Sequence, residues 1–135
     1  ARFLSPRQAE AVDTGSILRL FSSPLGKRIM SADARKREFK FSLLCPAEKF
    51  FPGGEGESVL MQGVIDCMIE EAGELTIIDY KTDRVSSDAA VERAQTYSKQ
   101  LEAYAYAAQR MTGKPVRECV LYFLYSGETV KSSCK

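Results

Sequence analysis

The stretch SVLMQGVIDCMIEEAGELTIIDYKT, residues 58–82, decides the fold. It contains two runs rich in aliphatic and β-branched residues, 58–70 and 74–82, separated only by the tripeptide 71–73. Residues of this kind favour strands, and a connection this short, with a glycine near its tip, is typical of a β-hairpin. The sequence therefore predicts two antiparallel strands joined by a tight turn.

Two aspartates, Asp66 and Asp79, each lie inside an otherwise apolar strand of this hairpin. A charge in such a place costs free energy unless something compensates it. If Ala72 and Gly73 form a two-residue turn, Asp66 lies directly opposite Asp79, with the two Cβ atoms roughly 4.5–5.5 Å apart. A cation between the carboxylates is the simplest explanation for such a pair.

Lys81 follows Asp79 by two residues and is therefore predicted on the same face of the strand. Two carboxylates and one ammonium are the minimum set for metal-assisted hydrolysis of a phosphodiester. The metal lowers the pKa of a bound water, while the lysine orients that water or adds positive charge beside the phosphate. The Tyr80 side chain is predicted on the opposite face, with its carbonyl available to a metal.

A second interpretation of the same residues is structural. Asp66 and Lys81 would form a buried salt bridge, and Asp83 with Arg84 would simply begin a loop. A slip of one residue in the hairpin register would also turn the two aspartates to opposite faces. Spacing alone does not separate these interpretations, since short motifs have many false positives.

Composition narrows the chemistry. The sequence has no histidine, which excludes Ser-His-Asp and Cys-His catalysis and removes the commonest transition-metal ligand. Oxygen ligands then favour Mg²⁺, for which Mn²⁺ can substitute. Zinc and iron–sulfur sites usually need a close pair of cysteines, and this sequence has none. We expect reduced, structural thiols at Cys45, Cys67, Cys119 and Cys134.

Charge and hydropathy give weaker signals. The net charge of +1, from 19 basic and 18 acidic residues, does not indicate nucleic-acid binding, and the densest basic stretch, 27–40, is interpreted as a solvated face. No apolar run approaches the length of a membrane span and no signal peptide opens the sequence. We therefore expect one cytoplasmic domain.

Elsewhere, apolar periodicity and end signals predict the other elements. In chain order they are a helix over 5–21 starting near Ser5 and Pro6, a short helix ending at Met30, a strand over 37–44, a long helix from about Asp88 to Met111 ended by Gly113 and Pro115, and a strand over 116–125. This order predicts a mixed α/β fold with helices packed on a central sheet.

Gln100 and Tyr104 lie four residues apart on the long helix and so share one side, beside its apolar stripe. Taken alone, Tyr104 is a core residue and Gln100 a residue at its rim. Together with Gly63-Val64-Ile65-Asp66 and Ile78-Asp79-Tyr80-Lys81-Thr82, however, the segment Gln100-Leu101-Glu102-Ala103-Tyr104 completes a pattern of GxxD strand, DYKT strand and QxxxY helix.

This pattern resembles the RecB-type nucleases of the PD-(D/E)XK superfamily over about residues 35–126, and FSSPLGKRIMSA with REFKF resembles its AddA type in particular. The resemblance implies a restriction-endonuclease-like core with a central mixed sheet flanked by helices. Residues 1–34 are then a helical lead-in and 127–135 a C-terminal tail. The implied function is a metal-dependent DNA exonuclease domain of a bacterial helicase-nuclease, active in double-strand break processing and recombinational repair.

The resemblance also implies roles for individual residues and for partners. Asp66, Asp79 and the Tyr80 carbonyl would bind Mg²⁺, with Mn²⁺ as a substitute. The implied catalytic set is Asp66, Asp79, Lys81, Gln100 and Tyr104, in which the last two position the lysine or contact DNA. The implied partners are single strands of unwound DNA, a helicase domain in the same chain and a partner nuclease subunit.

Two features depart from a simple match. Many members of the family supply a histidine from a helix upstream of the first strand, and this sequence has none. Glu38 matches an acidic residue that follows arginine in the family's first strand, without a firm role. The missing histidine favours an alternative function, a non-catalytic DNA-binding or scaffolding module that keeps the nuclease fold. It also predicts that the chain alone binds metal weakly and cleaves poorly.

Overall fold

A computed structural model describes residues 14–50 and 52–132 of the chain. In this part the chain forms one five-stranded mixed sheet with helices on both faces. The strands, in spatial as well as chain order, are β1 (Ala34–Pro46), β2 (Ser58–Glu71), β3 (Glu74–Lys81), β4 (Val116–Phe123) and β5 (Glu128–Ser132). The helices are α1 (Thr14–Ser22), α2 (Pro24–Ser31), α3 (Ser87–Gln95) and α4 (Ser98–Thr112), and a 3₁₀ turn covers Ala47–Lys49.

The hairpin predicted from residues 58–82 is present in the predicted register. Glu71 pairs with Glu74, and the antiparallel ladder continues as far as Cys67 and Ile78. Between the strands, Ala72 has φ 52° and Gly73 has φ 81°. Two consecutive left-handed residues match the twist of the flanking strands, which is how a two-residue turn fixes the register of a hairpin.

Helices α1 and α2 pack on one face of the sheet, and α3 and α4 pack on the other. Strand β4 contributes alternately to the two cores, because Leu121 and Phe123 face α4 whereas Val120 and Tyr122 face α1 and α2. It runs parallel to β3 and antiparallel to β5, so it is interior to the sheet as predicted. The crossover from β3 to β4 carries both α3 and α4.

Arg28, from the basic stretch interpreted as a solvated face, has a structural role instead. Its guanidinium lies 2.6 Å from Glu71 Oε1 and 2.9 Å from Glu118 Oε1. These contacts tie α2 to the end of the hairpin and to β4.

The long helix predicted over residues 88–111 is wrong in one respect, because two helices occupy it. The break falls at Thr96 and Tyr97, whose amides donate to the carbonyls three residues back, on Arg93 and Ala94. Ala94, Tyr97 and Leu101 all pack against the same core on either side of the break. Apolar periodicity therefore continues through the interruption and gives no sign of it.

A fifth strand, β5, occupies part of the segment 127–135 that was predicted to be a tail. It pairs with β4 from Phe123 and Glu128 to Cys119 and Ser132. Only Val130 of this short edge strand packs against the core, so the segment carries almost no apolar signal. Other boundaries also shift: β1 is longer than the predicted 37–44, and β4 ends two residues early. The predicted helix start at Ser5 and Pro6 lies outside the described residues.

The cysteine prediction is confirmed for two residues and wrong for a third. Cys45 and Cys67 are free and buried, as expected for small apolar side chains. Cys119 is buried too, but it is disulfide-bonded. A position in an apolar strand therefore did not predict its redox state. Cys134 lies outside the described residues.

Candidate active site

Asp79 and Lys81 lie at the C-terminal end of β3 and project toward α4. Their neighbours Ile78 and Tyr80 belong to the core on the opposite face. Asp79 is only 4% exposed, and Lys81 Nζ lies 2.8 Å from its Oδ2. The predicted salt bridge between Asp66 and Lys81 is therefore replaced by one between Lys81 and Asp79.

Asp66 lies on β2, one position beyond the last paired residues of the hairpin. Its Oδ2 accepts a hydrogen bond of 2.8 Å from the Tyr80 amide, and its carboxyl group is within hydrogen-bonding reach of Asp79. The structure thus brings the two predicted aspartates together on one side of the sheet. A main-chain donor holds Asp66 at the point where the two strands separate.

The proximity of the two carboxyl groups changes the acidity of Asp79. Burial, followed by the hydrogen bond and charge of Asp66, raises the pKa of Asp79 to about 7, although Lys81 opposes the shift. Asp79 Oδ2 is buried and accepts no hydrogen bond from the described residues, because its contact with Lys81 is an ion pair without hydrogen-bond geometry. Lys81 alone therefore does not fully compensate the two carboxyl groups near neutral pH.

A hard divalent cation fits this set of donors. Mg²⁺ prefers oxygen ligands and is commonly held by one or two carboxylates, with water and substrate oxygens completing its shell. Nowhere in residues 14–50 and 52–132 do three or more acidic, histidine or cysteine side chains converge, so the protein's side-chain contribution is this pair. Tyr80 offers a main-chain oxygen: in a strand its carbonyl points to the same side as its amide, which faces Asp66.

The ammonium of Lys81 has three neighbours. Besides Asp79, its Nζ donates to Gln100 Oε1 at 2.8 Å and lies 3.9 Å from the centre of the Tyr97 ring. Gln100 Nε2 in turn donates to the Tyr104 hydroxyl at 3.1 Å. The QxxxY residues of α4 thus meet the lysine of β3, in the arrangement that a positioning role requires.

Tyr104 is held by aromatic packing. Its ring meets Phe41 of β1 edge to face, with centroids 5.8 Å apart, and burial followed by the charges of Asp79 and Asp66 raises its pKa to about 12. Gly63 leaves the space for both rings. A Cβ at this position would lie 2.8 Å from Phe41 Cζ and 3.4 Å from Tyr104 Cε1. The glycine of the GxxD motif therefore serves packing beneath the site.

We expect Gly63→Ala to lower the free energy of unfolding by about 1–3 kcal/mol, because Phe41 is buried and has little room to yield. Urea denaturation of the two proteins measures the difference. Gln62→Ala, at an exposed neighbour on the same strand, is the matched control and should change stability by less than about 0.5 kcal/mol. Equal stabilities for Gly63→Ala and the unmodified chain would show that the two rings do not need this space.

Glu38 does not join the aspartate pair. It is exposed on β1, and its φ of 53° places a non-glycine residue in the left-handed region. The β1–β2 ladder passes from Arg37 and Cys67 to Phe39 and Ile65, leaving Glu38 opposite Asp66 and unpaired in the ladder. Both strands are therefore distorted beside the site, which is common where a strand re-aims a side chain.

Three residues near Lys81 were not predicted from the sequence. The Tyr97 hydroxyl donates to both oxygens of Asp83, at 2.9 and 2.8 Å, and Arg93 Nε donates to Asp83 Oδ2 at 2.6 Å. Tyr97 was predicted only as part of the apolar stripe, and Asp83 only as the start of a loop. A second acidic residue so soon after DYK was the one signal that could have drawn attention to them.

Comparison with known proteins assigns the family. The sequence matches the family model of the PD-(D/E)XK nuclease superfamily over residues 5–133. The chain belongs to that superfamily. Its observed α/β architecture, with a mixed sheet between helices, confirms the restriction-endonuclease-like fold that the motifs implied. In residues 14–50 and 52–132, no helix has both the length and the hydrophobicity needed to cross a bilayer.

Curated relatives, all named as the AddA component of an ATP-dependent helicase/nuclease, are similar over most of this chain. The chain is 42% identical over 123 residues to the protein of Carboxydothermus hydrogenoformans, covering 90% of this chain and 10% of the relative. It is 36% identical over 129 residues to that of Acetivibrio thermocellus, covering 92% and 10%. For the Bacillus cereus protein the identity is 38% over 138 residues, covering 95% and 11%. The chain therefore spans about a tenth of the length of these relatives.

Proposed function

We propose that this chain is the metal-dependent DNA exonuclease domain of a bacterial helicase-nuclease that processes double-strand breaks for recombinational repair. The observation that carries the proposal is the grouping of Asp66, Asp79 and Lys81 at the end of β3, in a chain of the PD-(D/E)XK nuclease superfamily. Two carboxylates in contact, with an ammonium beside them, suit the hydrolysis of a phosphodiester better than they suit a purely structural core.

In this mechanism Asp66, Asp79 and the Tyr80 carbonyl would hold Mg²⁺ or Mn²⁺. When bound, the metal supplies an acidified water and a positive charge near the phosphate. Lys81 contributes a second positive charge, which stabilises the negative charge that develops on the phosphoryl oxygens. Gln100 receives one Lys81 proton in a hydrogen bond and is itself braced by Tyr104, so the ammonium is oriented before substrate arrives.

The proposed substrate and partners follow from the relatives. Their description as components of an ATP-dependent helicase/nuclease supports single-stranded DNA delivered by a helicase domain as the substrate. Because this chain spans about a tenth of their length, we place the helicase domain elsewhere in the same polypeptide. The proposal is completed by a cytoplasmic location and by a partner nuclease subunit.

The missing histidine keeps a second function open, a DNA-binding or scaffolding module without cleavage. Calorimetric titration with Mg²⁺ and Mn²⁺ separates the two, with Asp66→Asn as the test variant and Asp88→Asn, on the exposed first turn of α3, as the control. We expect binding that Asp66→Asn weakens by at least about tenfold and Asp88→Asn leaves unchanged. Metal binding that is absent, or indifferent to Asp66, would favour the scaffold.

A further inference from the structure

Tyr97 is in direct contact with the lysine of the proposed nuclease site, although nothing in the motifs marks it. Lys81 Nζ lies 3.9 Å from the centre of its ring, the shortest cation–ring distance among the described residues. We infer that Tyr97 is a positioning residue that fixes the Lys81 ammonium through a cation–π contact, and that Asp83 and Arg93 hold its ring in place. The inference deepens the proposed nuclease function and rests on it.

The ring has a firm anchor at its far end. The Tyr97 hydroxyl donates to both oxygens of Asp83, and Arg93 Nε donates to the same carboxylate. Burial opposes ionisation of Asp83, but the hydrogen bonds from Arg93 and Tyr97 outweigh it and lower its pKa, so the group is a carboxylate at neutral pH. Hydrogen bonds to an ionised acceptor are shorter and stronger than neutral ones, and they fix the orientation of the phenol.

The near end of the ring completes the surroundings of the ammonium. A lysine ammonium has three N–H donors and a long, flexible stem. Asp79 and Gln100 take up two directions, and the negative face of the Tyr97 ring takes up the third. Without the ring, Lys81 would keep both polar partners and gain freedom to swing away from the reacting phosphate.

The interruption between α3 and α4 is what makes this contact possible. Tyr97 stands at the break, with φ −103° and ψ 3°, as the residue that precedes the first turn of α4. Arg93 lies in the last turn of α3 and Gln100 in the first turn of α4, on the two sides of the break. The break thus places a ring, its brace and a second lysine partner around one ammonium.

Two variants at position 97 separate the ring from its hydroxyl group. In single-turnover cleavage of single-stranded DNA with Mn²⁺, we expect Tyr97→Leu to lower the rate constant about tenfold or more at saturating DNA, with little change in DNA affinity. Tyr97→Phe keeps the ring and should stay within about threefold of the unmodified chain. Tyr106→Leu is the control, because Tyr106 of α4 also carries cation contacts, with Lys49 and Arg110, but does not touch Lys81.

A second readout does not depend on cleavage. In NMR spectra of the metal-free chain with ¹³C-labelled lysine, ring current should move the Lys81 ε-protons upfield of those of the other lysines. Lys81→Ala identifies the resonance by its disappearance. We expect the shift to persist in Tyr97→Phe and Tyr106→Leu and to vanish in Tyr97→Leu.

The outcomes distinguish this inference from the proposed function. A chain that never cleaves DNA argues against the nuclease, and the ε-proton shift alone then decides on Tyr97: its presence supports the inference and its absence overturns it. If the chain cleaves DNA and Tyr97→Leu matches it in rate, the inference fails while the nuclease stands. Equal losses in Tyr97→Phe and Tyr97→Leu would show that the hydroxyl link to Asp83 matters rather than the ring, and would also overturn it.

Discussion

Lys81→Ala should reduce DNA cleavage by about 10²–10³-fold at saturating metal and DNA, while metal binding persists. The reason lies in the division of roles at the end of β3. Lys81 is not a candidate metal ligand, and its ammonium is oriented by Asp79, Gln100 and Tyr97. Removing it deletes charge stabilisation in the transition state without deleting a carboxylate.

The measurement is a single-turnover rate on single-stranded DNA, paired with calorimetric titration of Mn²⁺. Lys27→Ala is the matched control, because Lys27 is exposed on α2, on the opposite face of the sheet. Lys81→Arg should not restore the rate, since a planar guanidinium cannot reproduce a compact ammonium between a ring and two oxygen acceptors. Cleavage by Lys81→Ala within tenfold of the unmodified chain would remove the lysine from the mechanism.

The hairpin register shows how far local sequence rules can reach. A two-residue turn at Ala72 and Gly73 has few conformations available, and its length alone fixes which residues face each other. Strand periodicity then places Asp79 and Lys81 on one face. Both rules are local, so the contact between Asp66 and Asp79 was predictable without knowing anything else about the fold.

The surroundings of Lys81 were less accessible. An aromatic residue in an apolar stripe looks the same whether its ring only packs in the core or also carries a cation, and Tyr97 does both. The helix break beside it is invisible to periodicity because Ala94 and Leu101 keep facing the same core. Edge strand β5 was missed because a short, half-exposed strand needs few apolar residues. These features depend on tertiary packing, which local rules do not contain.

Asp79→Asn should make the metal-free protein more stable while abolishing metal binding and cleavage. Asp79 is buried beside Asp66, and its pKa in the folded protein is raised to about 7, compared with an ordinary value near 3.8. A carboxyl with a raised pKa favours folding while it is protonated, and that contribution is lost as pH rises from about 4 through about 7. Above pH 7 the folded protein carries the full cost of two adjacent buried charges.

Asparagine keeps the shape of the side chain and cannot ionise, so it avoids this cost. We therefore expect Asp79→Asn to raise the free energy of unfolding by about 1–3 kcal/mol at pH 8 in the presence of a chelator, and by much less at pH 5. Urea denaturation at the two pH values measures both differences, with Asp88→Asn as a control that should show neither. Excess Mn²⁺ should reverse the order at pH 8, because only the unmodified pair gains stability from binding the ion. An Asp79→Asn protein that is less stable than the unmodified chain at pH 8 without metal would mean that the ion pair with Lys81 outweighs repulsion from Asp66. Asp79 would then be a structural partner of the lysine, and the case for a cation site between the two aspartates would lose its physical basis.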